Sequence, residues 1–147
     1  MKDVHLVVGV LAITLNALAA LFGGWCWWRG QPSRWFWRVL RAGQVTVVVE
    51  VVLGGVLRLT GHKTPGLHVL YGVLPLLVAI LAEQLRAATA QMVLDSRGFE
   101  SNEEVGELPP EEQRALVTAI LHREIGVMAL SAVVVVVLLA RAAATAG

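Results

Sequence analysis

Cysteine is almost missing from this chain of 147 residues, where Cys26 stands alone. An internal disulfide is thereby excluded. So are a Cys-x-x-Cys-His site for covalent heme and any iron–sulfur or zinc centre built from several thiolates. Charge is scarce as well. Charged residues make up 16% of the chain and hydrophobic residues 56%, whereas a water-soluble domain of this size carries more charge and less apolar mass. The net charge of +1 points to no nucleic-acid partner, and none is expected. Internal repeats are lacking, and the Val133–Val137 run reads as lipid-facing filler.

The apolar mass is gathered into four runs. They predict helices over about 4–28, 34–58, 66–92 and 110–144, each long enough for the roughly 20 residues that a bilayer crossing takes. In lipid every backbone polar group must be satisfied internally, so such runs must be helical. The expected fold is all-α: a single integral-membrane, four-helix up-and-down bundle over 1–147, with the lipid bilayer as its first partner. Met1–Ala20 has the apolar core of a signal peptide. Its Met-Lys-Asp start has no net positive charge and its run continues to a tryptophan cluster, so it is read as a retained helix.

Arginine sets the expected orientation. Arg29, Arg34, Arg38, Arg41, Arg86, Arg97, Arg114 and Arg123 fall around the first and third loops, and only Lys2, Arg58, Lys63 and Arg141 fall on the other side. Positive residues favour the cytoplasm, which places both termini outside the cell membrane. Trp25, Trp27, Trp28, Trp35 and Trp37 cluster at the inner end, where interfacial anchoring suffices to explain them. Ser33 is a cap for the second helix. The Gly61–Gly66 segment is a tight outer turn. The stretch 95–109, with Glu100, Glu103, Glu104 and Glu107, reads as a solvated cytoplasmic linker. It ends in Pro109-Pro110-Glu111-Glu112, a helix start with acids facing the dipole.

Small and polar residues recur at helical spacing. The first helix carries His5, Gly9, Ala12, Asn16, Ala19 and Gly23; the second carries Gly43, Val47, Glu50, Gly54 and Arg58. Shorter stripes are His68, Gly72, Pro75, Ala79 and His122, Gly126, Ala129. Small residues either let helices approach closely or leave room for a flat cofactor. His5 and His68 each open a helix that enters from the outer side. In an up-and-down bundle those two helices are parallel and diagonal, about 13 Å apart. Two imidazoles can then meet at one iron. His5 and His68 are therefore the candidate metal ligands of a b-type heme, and the competing reading is two interfacial histidines at helix ends. Arg58 and Lys63, at the same end, are cofactor-binding candidates for the propionates. His62 can substitute or hydrogen-bond. His122 and Glu124 form an interfacial cluster, with a second cofactor site as the alternative.

Glu50 is the other unusual residue. It lies roughly 12 Å inward of Arg58 at helical rise, and an ionisable group at that depth is costly and usually functional. Asn16 and Gln44 are its expected partners. It is the catalytic candidate, as a proton relay or a contact to a quinone or substrate. The alternative is a protonated carboxyl that bonds helices together.

The stretch Glu50-Val-Val-Leu-Gly-Gly-Val-Leu-Arg-Leu-Thr-Gly61, with Pro65 and His68-Val-Leu-Tyr-Gly72, resembles the heme A synthase family over roughly residues 5–85. That family has two four-helix halves, in which a short outer turn leads into a helix opening on a heme-ligand histidine. Two registers are open, and His68 falls on a ligand histidine in both. Glu50 stands where one register has glutamine, no outer-loop cysteine pair occurs, and no Glu-x-x-His pattern precedes either histidine. The resemblance implies a heme-binding half-bundle, and whether the chain is an enzyme stays open. The expected function is small membrane b-type cytochrome electron transfer or heme handling. A redox partner, a quinone, a larger membrane complex or a homo-oligomer would be its company. The competing functions are a cofactor-free subunit of such a complex and a small transporter using Glu50.

Overall fold

The computed structural model describes residues 2–98 and 102–146, with side chains for all of these except Asn102. All regular structure among them is helical: α1 Lys2–Arg29, α2 Arg34–Leu59, α3 Gly66–Ser96, α4 Asn102–Gly106 and α5 Pro110–Ala144. The helices α1, α2, α3 and α5 are each long and apolar enough to cross a membrane.

Local chemistry sets the breaks. Gly30 (φ 63°) ends α1, with Gln31 N–H bonded to the Cys26 carbonyl and Gly30 N–H to the Trp27 carbonyl. Gly61 (φ 90°) ends α2 in the same way, through His62 to Leu57 and Gly61 to Arg58. Both are left-handed glycine caps that satisfy the last carbonyls of a helix. Ser33 Oγ accepts from the Trp35 N–H at 3.3 Å and starts α2, as expected from the sequence. Pro110 and the two glutamates after it start α5, also as expected.

Contacts fix the helix directions. Along α1 and α2, Gly9 faces Glu50, Asn16 faces Gly43, and Gly23 faces Phe36. Each step is seven residues up α1 and seven down α2, so the pair is antiparallel. Gln44 of α2 bonds Glu83 of α3 across a pair joined by the short 60–65 turn, which makes these antiparallel too. His68 bonds the Ala142 carbonyl and Arg86 meets Glu124, so α3 and α5 are opposed. The close neighbours are α1–α2, α1–α5, α3–α5 and α2–α3. The four helices thus form a ring in which α1 and α3 are diagonal and run the same way.

The core sits in two layers. Ala19, Cys26, Phe36, Leu40, Ala82, Ile125, Met128 and Ala132 pack near the tryptophan end. Ala12, Val47, Val135 and Leu139 form the next layer. The outward faces stay apolar, with Leu21 74% exposed and Leu130 66% exposed.

Three expectations are corrected here. The 95–109 stretch is no plain linker: α3 runs on to Ser96, and α4 tucks Val105 against Val93, Leu94 and Leu116. Glu100 lies outside the described residues. Within the Val133–Val137 run, Val135 is a core residue, because its spacing from Ala132 and Leu139 puts it on the inner face of α5. Interfacial anchoring does not cover all the tryptophans either. Trp27 stacks on His122 at 5.7 Å between centroids, and Trp37 packs against Phe36.

Candidate functional site

Above the second core layer the ring does not close. A cavity of about 550 Å³ opens there, lined by all four long helices and the 62–65 turn. That volume lies within the usual 300–1,000 Å³ of small-molecule sites. His5, Glu50, Arg58, Lys63 and His68 all line it, with His62 and Lys2 beside them. Five candidates taken from three separate stretches of chain therefore meet in one place.

The cavity exists because glycine stands where bulk would fill it. A Cβ on Gly9 would lie 2.8 Å from Glu50 Oε1, so glycine leaves room for that carboxyl in its present position. A Cβ on Gly54 would lie 3.4 Å from His5 Cε1. The His5 ring thus lies beside Gly54, one turn along α2 from Glu50. Gly55 and Gly72 have nothing within 4 Å of such a Cβ among the described residues.

The two histidines face each other. Their ring centroids are 6.1 Å apart with planes at 73°. Two imidazoles sharing one metal ion, with metal–nitrogen bonds of about 2 Å, place their centroids about 6 Å apart. Each ring turns Nδ1 toward an oxygen. His68 Nδ1 is 2.8 Å from the Ala142 carbonyl. A carbonyl can only accept, so Nδ1 is the donor in this contact, which in the neutral ring leaves the lone pair on Nε2. His5 Nδ1 lies 3.1 Å from Glu50 Oε1. That approach is close enough for an ion pair but is not aligned as a hydrogen bond, and Glu50 Oε2 also has no hydrogen-bond partner among the described residues. An imidazole whose Nδ1 is held by an outer oxygen is the usual setting of a metal-ligating histidine.

The expected partners of Glu50 are corrected. Asn16 bonds the Ala12 carbonyl at 2.8 Å and sits on Gly43. Gln44 bonds Glu83 and Arg41. The register of α1 on α2 brings His5 and Gly9 to Glu50 instead. Arg58 and Lys63 are exposed at the cavity mouth. His62 is exposed, 3.5 Å from the Thr60 hydroxyl. His122 lies at the far end of the ring against Trp27. Among the described residues no group of three or more histidine, cysteine or acidic side chains is arranged to hold a metal ion.

Glu83 had not been singled out from the sequence. It is paired with Arg41 and with Arg86 (2.9 Å), and Arg86 reaches Glu124 at 3.8 Å. A signal was present: an acid within an apolar run, followed three residues later by arginine. The network joins α2, α3 and α5 and leaves its charges mutually satisfied, which is a packing role.

No protein family model, no curated protein and no solved structure matches the chain.

Proposed function

We propose that this chain is a membrane-embedded heme-binding protein, a small b-type cytochrome or heme-handling protein. His5 and His68 are its axial ligand pair. The observation that carries the reading is the histidine pair itself: centroids 6.1 Å apart in a cavity of cofactor size, each Nδ1 turned to an oxygen. The apolar outer faces of the four long helices support a bilayer setting, since a monomer in water rarely exposes so much contiguous apolar surface. The arginine asymmetry favours an outer-surface position for the cavity end.

The residues divide the work by position. His5 and His68 would hold the iron through Nε2. Arg58 and Lys63 at the mouth would meet the propionates through charge-assisted hydrogen bonds. Glu50 lies 3.1 Å from His5 Nδ1 and would act through that ring, orienting it and raising its basicity, so it is a positioning residue in this reading. Leu139, Ile13 and Val51 line the apolar part and exclude water. When bound, heme supplies one-electron chemistry.

The test is the absorption spectrum of protein purified from heme-replete cells. A Soret band is expected, and a reduced spectrum of bis-histidine type. His5→Ala and His68→Ala should each abolish or greatly weaken heme retention, while His122→Ala should not. A colourless wild-type protein, or a normal spectrum in both cavity variants, overturns the proposal.

A further inference from the structure

The cavity has a side as well as a mouth. Of the four neighbouring helix pairs, α2 and α3 make by far the fewest close contacts, although a short turn joins them. Their register follows from the hydrogen bond between Gln44 and Glu83, 3.0 Å long. Eleven residues up α2 from Gln44 is Gly55, and eleven residues down α3 from Glu83 is Gly72. Eleven residues are about three helical turns, so each glycine stays on the face that carries the bonded residue. Gly55 and Gly72 therefore oppose each other across the seam. A Cβ on either would meet nothing within 4 Å among the described residues, and both line the cavity. The gap is bounded by the Arg41–Gln44–Glu83 clasp at one end and by the 60–65 turn at the other.

We infer that the gap between Gly55 and Gly72 is a lateral entrance through which a flat, lipid-soluble amphiphile of the heme class slides edgewise from the bilayer into the cavity. The inference rests on the heme-binding reading and adds the route.

Chemistry favours the side over the mouth. Lys2, Arg58, His62 and Lys63 surround the mouth, and Gly55 lies three residues, roughly 5 Å of helix, inward of Arg58. A heme sliding through the gap keeps its two carboxylates at this cationic rim while its apolar edge leads. Neither carboxylate has to cross hydrocarbon, where a charge is costly. The route also needs α3 to give slightly, and Pro75 supplies that one turn from Gly72. Proline has no N–H for the Tyr71 carbonyl, so the α3 backbone is released at the level of the gap.

The test uses the full chain in lipid nanodiscs, with hemin as the probe and the rise of the Soret band as the readout. Gly55→Cys and Gly72→Cys are combined in a Cys26→Ala background, and the two thiols are bridged by a bis-maleimide. Bridging should slow hemin uptake by about tenfold or more. Protein loaded before bridging should keep its spectrum and release hemin correspondingly slowly. Gly55→Phe, which plugs the outer side of the gap, should slow uptake in the same direction without any reagent. Uptake at the wild-type rate in both the bridged protein and Gly55→Phe, with a normal final Soret band, overturns the entrance and leaves heme binding standing. Wild-type protein that develops no Soret band overturns both.

Discussion

The α1–α2 seam and the α2–α3 seam share a helix and use glycine in opposite ways. Along α1–α2 each glycine is a notch that receives a larger side chain: Gly9 takes Glu50, Gly43 takes Asn16, and Gly23 takes Phe36. The notches alternate between helices every seven residues, so bulk from one side always meets space on the other. Such small-to-large pairing lets helices approach closely. Along α2–α3, Gly55 and Gly72 stand at matching levels, and a Cβ on either would meet nothing within 4 Å among the described residues. That seam is held by charge, through Arg41, Gln44 and Glu83. A glycine stripe alone therefore does not say whether helices close or part. The residue opposite decides.

Filling a notch should disturb the α1–α2 seam most. A Cβ on Gly23 would overlap the Phe36 ring and approach Ala129 Cβ to 2.9 Å, with both neighbours in or beside the first core layer. Overpacking of that kind costs about 2–3 kcal/mol when neither neighbour can move away. Gly23→Ala should therefore lower the thermal unfolding midpoint in detergent well below that of wild type. A midpoint unchanged from wild type would show that the α1–α2 seam is not closed by notch filling.

The next effect tests the polar clasp. Glu83→Ala leaves Arg41 and Arg86 facing each other without their shared acid. Breaking a fully buried pair costs about 3–5 kcal/mol, and the partial exposure of this site lets water replace much of the lost interaction. A loss of about 1–2 kcal/mol is expected, measured by the same melt. Glu83→Gln keeps an acceptor for Gln44 and should lose less. Equal losses in the two variants would mean that shape and not charge holds the α2–α3 seam.

Much of this arrangement was legible in the residues, for identifiable reasons. The α1 stripe was readable because its period is the helix period, and Ala12, Asn16, Ala19 and Gly23 are all buried. The meeting of His5 with His68 followed from helix directions alone, which the short turns impose. The partner of Glu50 was not readable. Depth along α2 says how far a residue lies from the end, but the register of α1 against it is set by which side chain fits which notch. Asn16 was already taken by Gly43. The helix in the acidic stretch was hidden in a similar way. Four glutamates dominate its composition, yet Val105 packs against Leu94 and Leu116. The openness of the second seam was the least legible feature, because a gap is the absence of a partner and no residue encodes it by itself.

A glycine of the open seam should respond with the opposite sign. Gly72 lies inside α3, where glycine costs about 0.5–1 kcal/mol relative to alanine through its extra backbone freedom. Its added methyl would meet nothing within 4 Å among the described residues, so no packing penalty offsets that gain. Gly72→Ala should therefore raise stability by about 0.5 kcal/mol, read as a small upward shift of the detergent melt. The same one-carbon change thus destabilises at Gly23 and stabilises at Gly72, although both positions are helical glycines on inward stripes. A single methyl also leaves most of the gap open, so hemin uptake should stay near the wild-type rate, unlike the bridged double-cysteine protein. If Gly72→Ala instead lowers the melt as Gly23→Ala does, α3 is pressed against α2 at this level, and the two seams are built alike.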